Sequence, residues 1–451
     1  MKNLFVFLLA LTSYFSYSQV WKSFGADSLY IPGNPTSYIN IFKVINSKLY
    51  ATGAFMKSGD TTLWGFGNWD STKWSAVGFT KSYGGGGFCI ELFQNKIYYG
   101  GGFINLSDND IIDYLGCWND TTWQPVGSIG SPNGSVRAIS FKDKLYIGGG
   151  FGYIGSTYFN GIAAWDGSQW HHVENFDGAV SAFAIFNNEL YAGGFFTSVS
   201  GTPAYFIARY DGAQWHDVGG GLDGYVKSLK VDTVENVLYV GGAFFNTGDN
   251  THVRFIAKWD GSHWYDVGGG FNQDVETIEI YRGQLYAGGY FDTAGTQRIP
   301  YLAKFNGNNW EQVGSGIGNA VFAMAEYKDE LYVGGQFKHA GGLASSCIAK
   351  WYIHPDSVNV TTELQASTKE QQIKIYPNPT NGNITIEFTL PEKQKALLKI
   401  YNSKGELFRK FIVAENENQK NIDTSKWAKG VYYCVVEQKG KRFSQVKFIV
   451  E

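Results

Sequence analysis

The segment "LYVGGAF", residues 238–244, decides the fold, because the chain carries seven versions of it. The others start at Leu49, Ile97, Leu145, Leu190, Leu285 and Leu331, so successive starts lie 48, 48, 45, 48, 47 and 46 residues apart. A steady period of this size marks an array of equal supersecondary units. Each copy is apolar at successive positions, which describes a strand buried on both faces; a half-exposed strand would alternate apolar with polar. The paired glycines leave room for a neighbouring sheet to approach the backbone, and bulky aromatics are expected to fill that room.

Outward from this segment, each unit reads as four short strands. An apolar strand such as "VRAISF" (136–141) or "VFAMAEY" (321–327) comes first, joined by a two-residue hairpin turn such as Asn187-Asn188 or Lys328-Asp329. After the segment comes a longer polar loop, then a third strand such as "FIAKW" (255–259). A tight turn follows, often Asp-Gly as at Asp166-Gly167, Asp211-Gly212 and Asp260-Gly261, where glycine takes a left-handed backbone. The fourth strand carries a tryptophan.

Of 14 tryptophans, seven sit on the fourth strand: Trp21, Trp74, Trp123, Trp170, Trp215, Trp264 and Trp310. Five sit on the third, at Trp69, Trp118, Trp165, Trp259 and Trp351, with Tyr210 and Phe305 in the remaining places. Side chains that recur at equivalent positions are packing between units rather than a sugar-stacking platform, each burial contributing about 2–3 kcal/mol. Trp351 lacks a partner, because Asp356 stands where a tryptophan is due. Trp21 lacks one on its N-terminal side. The strand of Trp21 therefore completes the seventh unit and joins the two ends of the array, which protects the sheet edges.

The Gly doublet and the two aromatics that follow it, as in Gly241, Gly242, Trp259 and Trp264, resemble the kelch family from about Val20 to Ile353. Thr52 departs from the pattern. The resemblance implies an all-β fold, a seven-bladed β-propeller closed by the N-terminal strand. It is specific to a fold and carries little about function.

The first residues, "MKNLFVFLLALTSYFSYSQV", read as a secretory signal peptide over 1–18. The apolar run from Leu4 to about Leu11 is too short to span about 30 Å of hydrocarbon. No other stretch is long and apolar enough, so no transmembrane span is expected after processing. The remaining organisation is a propeller over 19–353, a polar linker over 354–370 and a small Ig-like β-sandwich over 371–451.

That last domain resembles the C-terminal sorting domain of the type IX secretion system of Bacteroidota. The matching elements are Tyr376-Pro377-Asn378-Pro379, Asn381-Gly382, Ser403-Lys404-Gly405, Lys429-Gly430-Val431-Tyr432 and Lys447-Phe448-Ile449-Val450. The resemblance implies a sorting signal carried by Pro377, Asn378, Pro379, Gly382, Gly405, Gly430 and Lys447. It also implies recognition by the type IX secretion machinery, and a protein that is secreted or held at the outer-membrane cell surface. From Gln371 onward there are 14 Lys+Arg and 8 Asp+Glu, a net of +6, which leaves −9 of the overall −3 for the rest. An acidic repeat domain excludes nucleic acid as a natural partner.

Chemistry is sparse. Cys89, Cys117, Cys347 and Cys434 lie in apparent strands without CxxC spacing, so zinc is not expected and buried free thiols are favoured over a Cys89–Cys117 bridge. Among the seven histidines, His171, His172, His216 and His263 flank fourth-strand tryptophans and are expected to face solvent; no HxH or HExxH spacing appears. Galactose oxidase, with copper held by His and Tyr, uses a kelch-like scaffold, yet none of its local motifs is visible. Asp108, Asp110 and Asp113 form a weak calcium candidate, lacking the glycine of a full acidic loop. The runs Gly84–Gly87, Gly219–Gly221 and Gly268–Gly270 lack the phosphate-cradle signature and read as crossovers between units.

Long, variable loops between second and third strands, and between units, fall on one face of such a scaffold, where binding usually resides. Asp108, Asp110, Tyr153, Tyr205, His252, Arg254 and Arg298 are the candidate ligand-binding residues there. The leading functional reading is a binding propeller for an extracellular glycan or protein. The alternatives are an extracellular carbohydrate-active enzyme (lyase or oxidase) and an adhesin or gliding accessory protein.

Overall fold

The computed structural model describes residues 16–34, 36–78, 83–104, 112–141, 144–359, 373–390, 394–402, 407–438 and 441–451. Among them the only helix is a short 3-10 turn at Gly25–Asp27; the remaining regular structure is strand. The chain divides into Trp21–Trp351 and a second unit of Met1–Val20 with Tyr352–Glu451.

Seven four-stranded sheets accompany the seven repeats, numbered here in chain order. Sheet 5, for example, runs Tyr225–Asp232, Val237–Ala243, Ile256–Trp259, Trp264–Asp266. In sheet 7, Val321–Tyr327, Glu330–Gly335 and Ile348–Asn359 are followed by the N-terminal strand Ser16–Ser23 in fourth place. The first strand of each sheet lies against the first strand of the next. Tyr38–Ile45 touches both Tyr83–Phe93 of sheet 2 and Val321–Tyr327 of sheet 7.

Local chemistry sets these sheets. Asn187-Asn188 and Lys328-Asp329 both take left-handed φ at each residue (49° and 64°; 51° and 63°), the mirror-image turn whose twist matches a hairpin. The third-to-fourth turn places Gly167, Gly212, Gly261 and Gly307 at φ of 102°, 108°, 105° and 101°.

The Gly doublet has two separate causes. A Cβ on the first glycine would meet a valine of the next sheet: added at Gly193 it would lie 2.3 Å from Val226 Cγ1, and at Gly241 2.7 Å from Val275 Cγ1. The room expected for aromatics is filled by branched aliphatics, which fit a flat strand surface more closely. A Cβ on the second glycine would meet the carbonyl of its own first strand, 2.1 Å from Ala179 O at Gly194 and 1.9 Å from Tyr225 O at Gly242. That carbonyl is pushed inward by a β-bulge, which lies between Val180 and Ala182 in sheet 4 and between Val226 and Ser228 in sheet 5.

Thr52 replaces the first glycine in sheet 1, and the facing residue of sheet 2 is Gly87 instead of valine. The Thr52 hydroxyl accepts from the Gly87 amide at 3.1 Å and lies 3.1 Å from the Tyr99 hydroxyl. The bulk has moved from one side of the interface to the other. Gly84–Gly87 is accordingly not a crossover. It belongs to strand Tyr83–Phe93, with Gly84 opposite Phe103 and Gly87 opposite Gly101.

Tryptophans join the sheets. Third- and fourth-strand rings pair within a sheet, with centroids 5.5 Å apart at Trp69–Trp74 and 4.9 Å at Trp259–Trp264. In five of the seven sheets the fourth-strand indole then donates to the preceding sheet, as Trp123 to Val77 O (3.3 Å), Trp264 to Val218 O (3.2 Å) and Trp310 to Val267 O (2.9 Å). The glycine after that valine lies beneath the ring pair: a Cβ on Gly219 would sit 2.6 Å from Trp259 Cζ3.

Loops expected between second and third strands carry their own hairpins, such as Tyr153–Ile154 with Thr157–Tyr158 and Thr293–Ala294 with Gln297–Arg298. An Asx side chain in the incoming crossover fastens each of several hairpins. Asp177 accepts from the amides of Thr197 and Ser198, Asp223 from Phe245 and Asn246, and Asn133 from Gly152 and Tyr153. The four cysteines are buried and free, and burial pushes the Cys434 thiol up to about 12.

In the C-terminal unit two antiparallel sheets share one apolar core, an arrangement consistent with a sandwich. One holds Ile373–Tyr376, Asn383–Phe388 and Gln419–Asp423; the other holds Leu407–Val413, Ala396–Tyr401, Gly430–Gln438 and Lys441–Val450. Ile384, Ile386, Leu398, Ile400, Cys434 and Phe448 form its centre.

Candidate functional site

The bulge that explains the second glycine recurs in all seven first strands, and it selects one residue per sheet. These are Asn40, Phe88, Arg137, Ser181, Lys227, Glu276 and Phe322. A bulged residue leaves the ladder and its side chain is re-aimed. The residue before each bulge is buried: Ile39, Gly87, Val136, Val180, Val226, Val275 and Val321. The bulged residues themselves all keep solvent access. The residue before the bulge is Ile or Val in six of the seven sheets, whereas the bulged residues comprise an amide, two rings, two cations, a hydroxyl and a carboxylate.

The bulges lie where the crossovers enter the first strands, and they touch from sheet to sheet. Asn40 Nδ2 donates to Gly87 O at 3.0 Å. The Arg137 guanidinium lies over the Phe88 ring, 4.8 Å from its centre. Lys227 Nζ bonds Glu276 Oε1 at 2.5 Å and Asp274 Oδ2 at 2.7 Å. Phe322 meets Tyr38 at 6.2 Å and Tyr290 at 5.4 Å. Phe195 and Tyr225 are 4.4 Å apart, edge to face, and about half exposed at 54% and 46%.

Electrostatics keep Lys227 and Tyr290 protonated. Burial alone would lower the Lys227 ammonium, but Glu276 and Asp274 outweigh it and raise its pKa. Burial raises the Tyr290 phenol, and the Glu276 charge raises it further. The arrangement offers aromatic faces with fixed polar groups between them. Deeper along the same strands, Lys43 pairs with Glu91 at 2.8 Å and Lys230 pairs with Glu279.

The residues singled out from the sequence lie elsewhere. Asp108 and Asp110 fall outside the described residues; Asp113 is described, and its amide donates to Ser131 Oγ at 3.4 Å. Tyr153 is exposed on its hairpin beside Tyr158, at 5.3 Å. Tyr205 is exposed beyond the next hairpin, His252 bonds Asn246 through Nδ1 at 3.0 Å, and Arg254 takes a left-handed φ of 43°. Arg298 ends the Gln297–Arg298 strand. No hydrogen bond, ion pair or ring contact joins any two of these five described residues. Reading the repeats against one another would have found the bulge set, since it is the variable position that follows an Ile or Val in six of the seven repeats.

His171 and His216 face the third-to-fourth turns rather than open solvent. Their Nε2 atoms lie 2.6 Å and 2.7 Å from Asp166 Oδ2 and Asp211 Oδ2. Among the described residues no three His, Cys, Asp or Glu side chains converge as a metal site would require.

In the C-terminal unit the sorting residues are partly brought together. Asn378 Nδ2 donates to Lys447 O at 3.1 Å, and Asn378 Oδ1 accepts from the Ile449 amide at 3.0 Å. Thr380 and Glu451 add two main-chain bonds, so the Pro377–Pro379 turn is fastened to the last strand. Gly382 accepts at its carbonyl from the Thr424 amide at 3.0 Å, and Gly430 begins the Gly430–Gln438 strand at φ 155°. Gly405 lies outside the described residues.

Residues 374–451 match the family described as the secretion system C-terminal sorting domain. No curated protein matches the chain. Among solved structures, the chain is similar to a fungal alcohol oxidase of the AA5 family in complex with copper, at 11% identity and a TM-score of 0.30, over 97% of this chain and 99% of that one.

Proposed function

We infer that this protein is exported by type IX secretion to the cell surface or the extracellular space, a reading carried by its match to the sorting domain over 374–451. No helix among the described residues is long and apolar enough to cross a membrane. We propose that the exported part is a binding module. Its seven repeat sheets form a kelch-like seven-bladed propeller over 19–353, closed by the N-terminal strand, and the bulge residues line its mouth. An extracellular glycan or protein is the ligand. On this reading residues 1–18 are a signal peptide; residues 1–15 lie outside the described residues.

One observation carries the reading: seven equivalent bulges expose side chains of five chemical classes, amide, aromatic, cation, hydroxyl and carboxylate, beside a residue that is Ile or Val in six of the seven sheets. Packing accounts for repeated residues. Variation at a re-aimed, solvent-accessible position fits recognition.

The test is a glycan and extracellular-protein array probed with the purified chain and with a Lys227→Ala/Phe322→Ala variant. The reading predicts a ligand retained by the parent and lost by the variant. A ligand bound equally by both would place recognition elsewhere.

A further inference from the structure

We propose that the mouth takes an acidic saccharide, its carboxylate held by Arg137 and its sugar ring by the Phe195–Tyr225 pair. This rests on the binding reading above and names the ligand class of the same site. Among the described first-strand residues, Lys43, Lys227 and Lys230 each have a carboxylate partner, at Glu91, at Asp274 with Glu276, and at Glu279. Arg137 differs. It is exposed, and its contact is the face of Phe88. A guanidinium laid on a ring is fixed in orientation while its N–H edge stays open, the geometry that receives a carboxylate through two parallel hydrogen bonds.

Groups on the next two sheets suit a sugar. On sheet 4, between Arg137 and Tyr225 in sheet order, Ser181 is the bulged residue and offers a hydroxyl. Phe195 from sheet 4 and Tyr225 from sheet 5 present rings in edge-to-face contact, about half open to solvent. Large exposed rings on rigid strands are costly to leave in water, and the C–H face of a pyranose covers them at little entropic cost. A protein ligand carrying an acidic side chain would satisfy Arg137 but would not need flat rings beside a hydroxyl. A neutral saccharide would satisfy the rings and leave the guanidinium open.

The experiment uses the full chain and two probes that differ only at the carboxylate: an oligogalacturonate and its methyl ester, followed by titration calorimetry. A sulfated oligosaccharide serves as a second acidic probe. The acidic oligomer is expected to bind at least tenfold more tightly than the ester, with affinity falling as salt rises. Arg137→Met should abolish that preference, and Arg137→Lys should restore part of it. Phe195→Ala/Tyr225→Ala should weaken acid and ester alike. Equal binding of acid and ester, an unchanged preference in Arg137→Met, or no binding of either acidic probe would overturn the proposal. If the acidic probes fail while the array ligand is still lost in Lys227→Ala/Phe322→Ala, only the ligand class falls. If that variant keeps the array ligand, the binding reading falls too.

Discussion

Trp21 and Trp351 pack ring to ring, with centroids 5.2 Å apart and planes at 52°, although 330 positions separate them in the chain. The Trp21 indole also donates to Val313 O at 3.1 Å, the same bond that Trp123, Trp170, Trp264 and Trp310 make to the sheets before them. The two ends of the repeat array therefore meet through the interaction that joins its interior units. Trp21→Ala should destabilise the repeat unit by about 3–5 kcal/mol, the usual cost of emptying a buried tryptophan site. Removal of Val20–Gly25 should cost more. Urea unfolding followed by tryptophan fluorescence reads both, and an unchanged midpoint would show that the terminal strand is dispensable.

Gly219 lies under the Trp259–Trp264 pair at a left-handed φ of 57°. Gly219→Ala should cost about 1–3 kcal/mol from overpacking, with a further ~1 kcal/mol for the left-handed backbone. Gly152→Ala is the control: nothing lies within 4 Å of its Cβ position, and a change within about 0.5 kcal/mol is expected. Similar midpoints for the two variants would contradict the packing role.

Thr52→Val keeps the shape of the side chain and removes the hydroxyl that serves both the Gly87 amide and Tyr99. A loss of about 1–3 kcal/mol is expected, because buried polar groups are left unpaired. Thr52→Ser should retain most of the stability. Equal stability of the Val variant would mean that the hydroxyl does not matter.

The third-to-fourth turns should give the protein an acid-sensitive limb. Bonds from Thr72 and the Lys73 amide bring Asp70 from the ordinary 3.8 down to about 2. The His171 bond and the Gln169 amide lower Asp166, and the Gln214 amide and His216 lower Asp211. Carboxyls depressed in the folded state contribute stability that is complete above about pH 4 and is lost as pH falls through the folded values. Asn119 and Asn306 occupy the equivalent turns of sheets 2 and 6 and accept the same amides without titrating. A triple Asp70→Asn/Asp166→Asn/Asp211→Asn variant should thus flatten the stability profile between about pH 4 and pH 2. An unaltered acid limb would assign it to other groups.

Asn378 joins the Pro377–Pro379 turn to the last strand by two bonds. Asn378→Ala should cost about 1–2 kcal/mol in the C-terminal unit. Export should fall, with the protein accumulating in the periplasm. Fractionation of producing cells against the culture medium checks this, and normal export would separate the turn from the sorting signal.

Much of the fold was legible because repetition is visible without coordinates. The seven Leu-Tyr-x-Gly-Gly-x-Phe copies, the tryptophan spacing and the orphan Trp351 were enough to place 28 strand positions and the role of Trp21. The doublet glycines were assigned to the wrong neighbour, since a sequence does not reveal whether valine or tryptophan fills a gap. The run Gly84–Gly87 was read as a crossover because its four glycines hide a strand that pairs through backbone alone. The candidate site was harder. Loop length pointed to the hairpins, whereas a one-residue register shift inside a strand exposes the bulge set.

By itself the sequence determined the all-β class, the repeat count and the export tag, because each rests on periodic or local patterns that a chain carries along its length. Tertiary structure alone decided what Asn40, Phe88, Arg137, Ser181, Lys227, Glu276 and Phe322 have in common. They lie tens to hundreds of residues apart, and no single residue type unites them. Only the bulge that each sheet forms against its second glycine turns them out of the ladder and toward solvent.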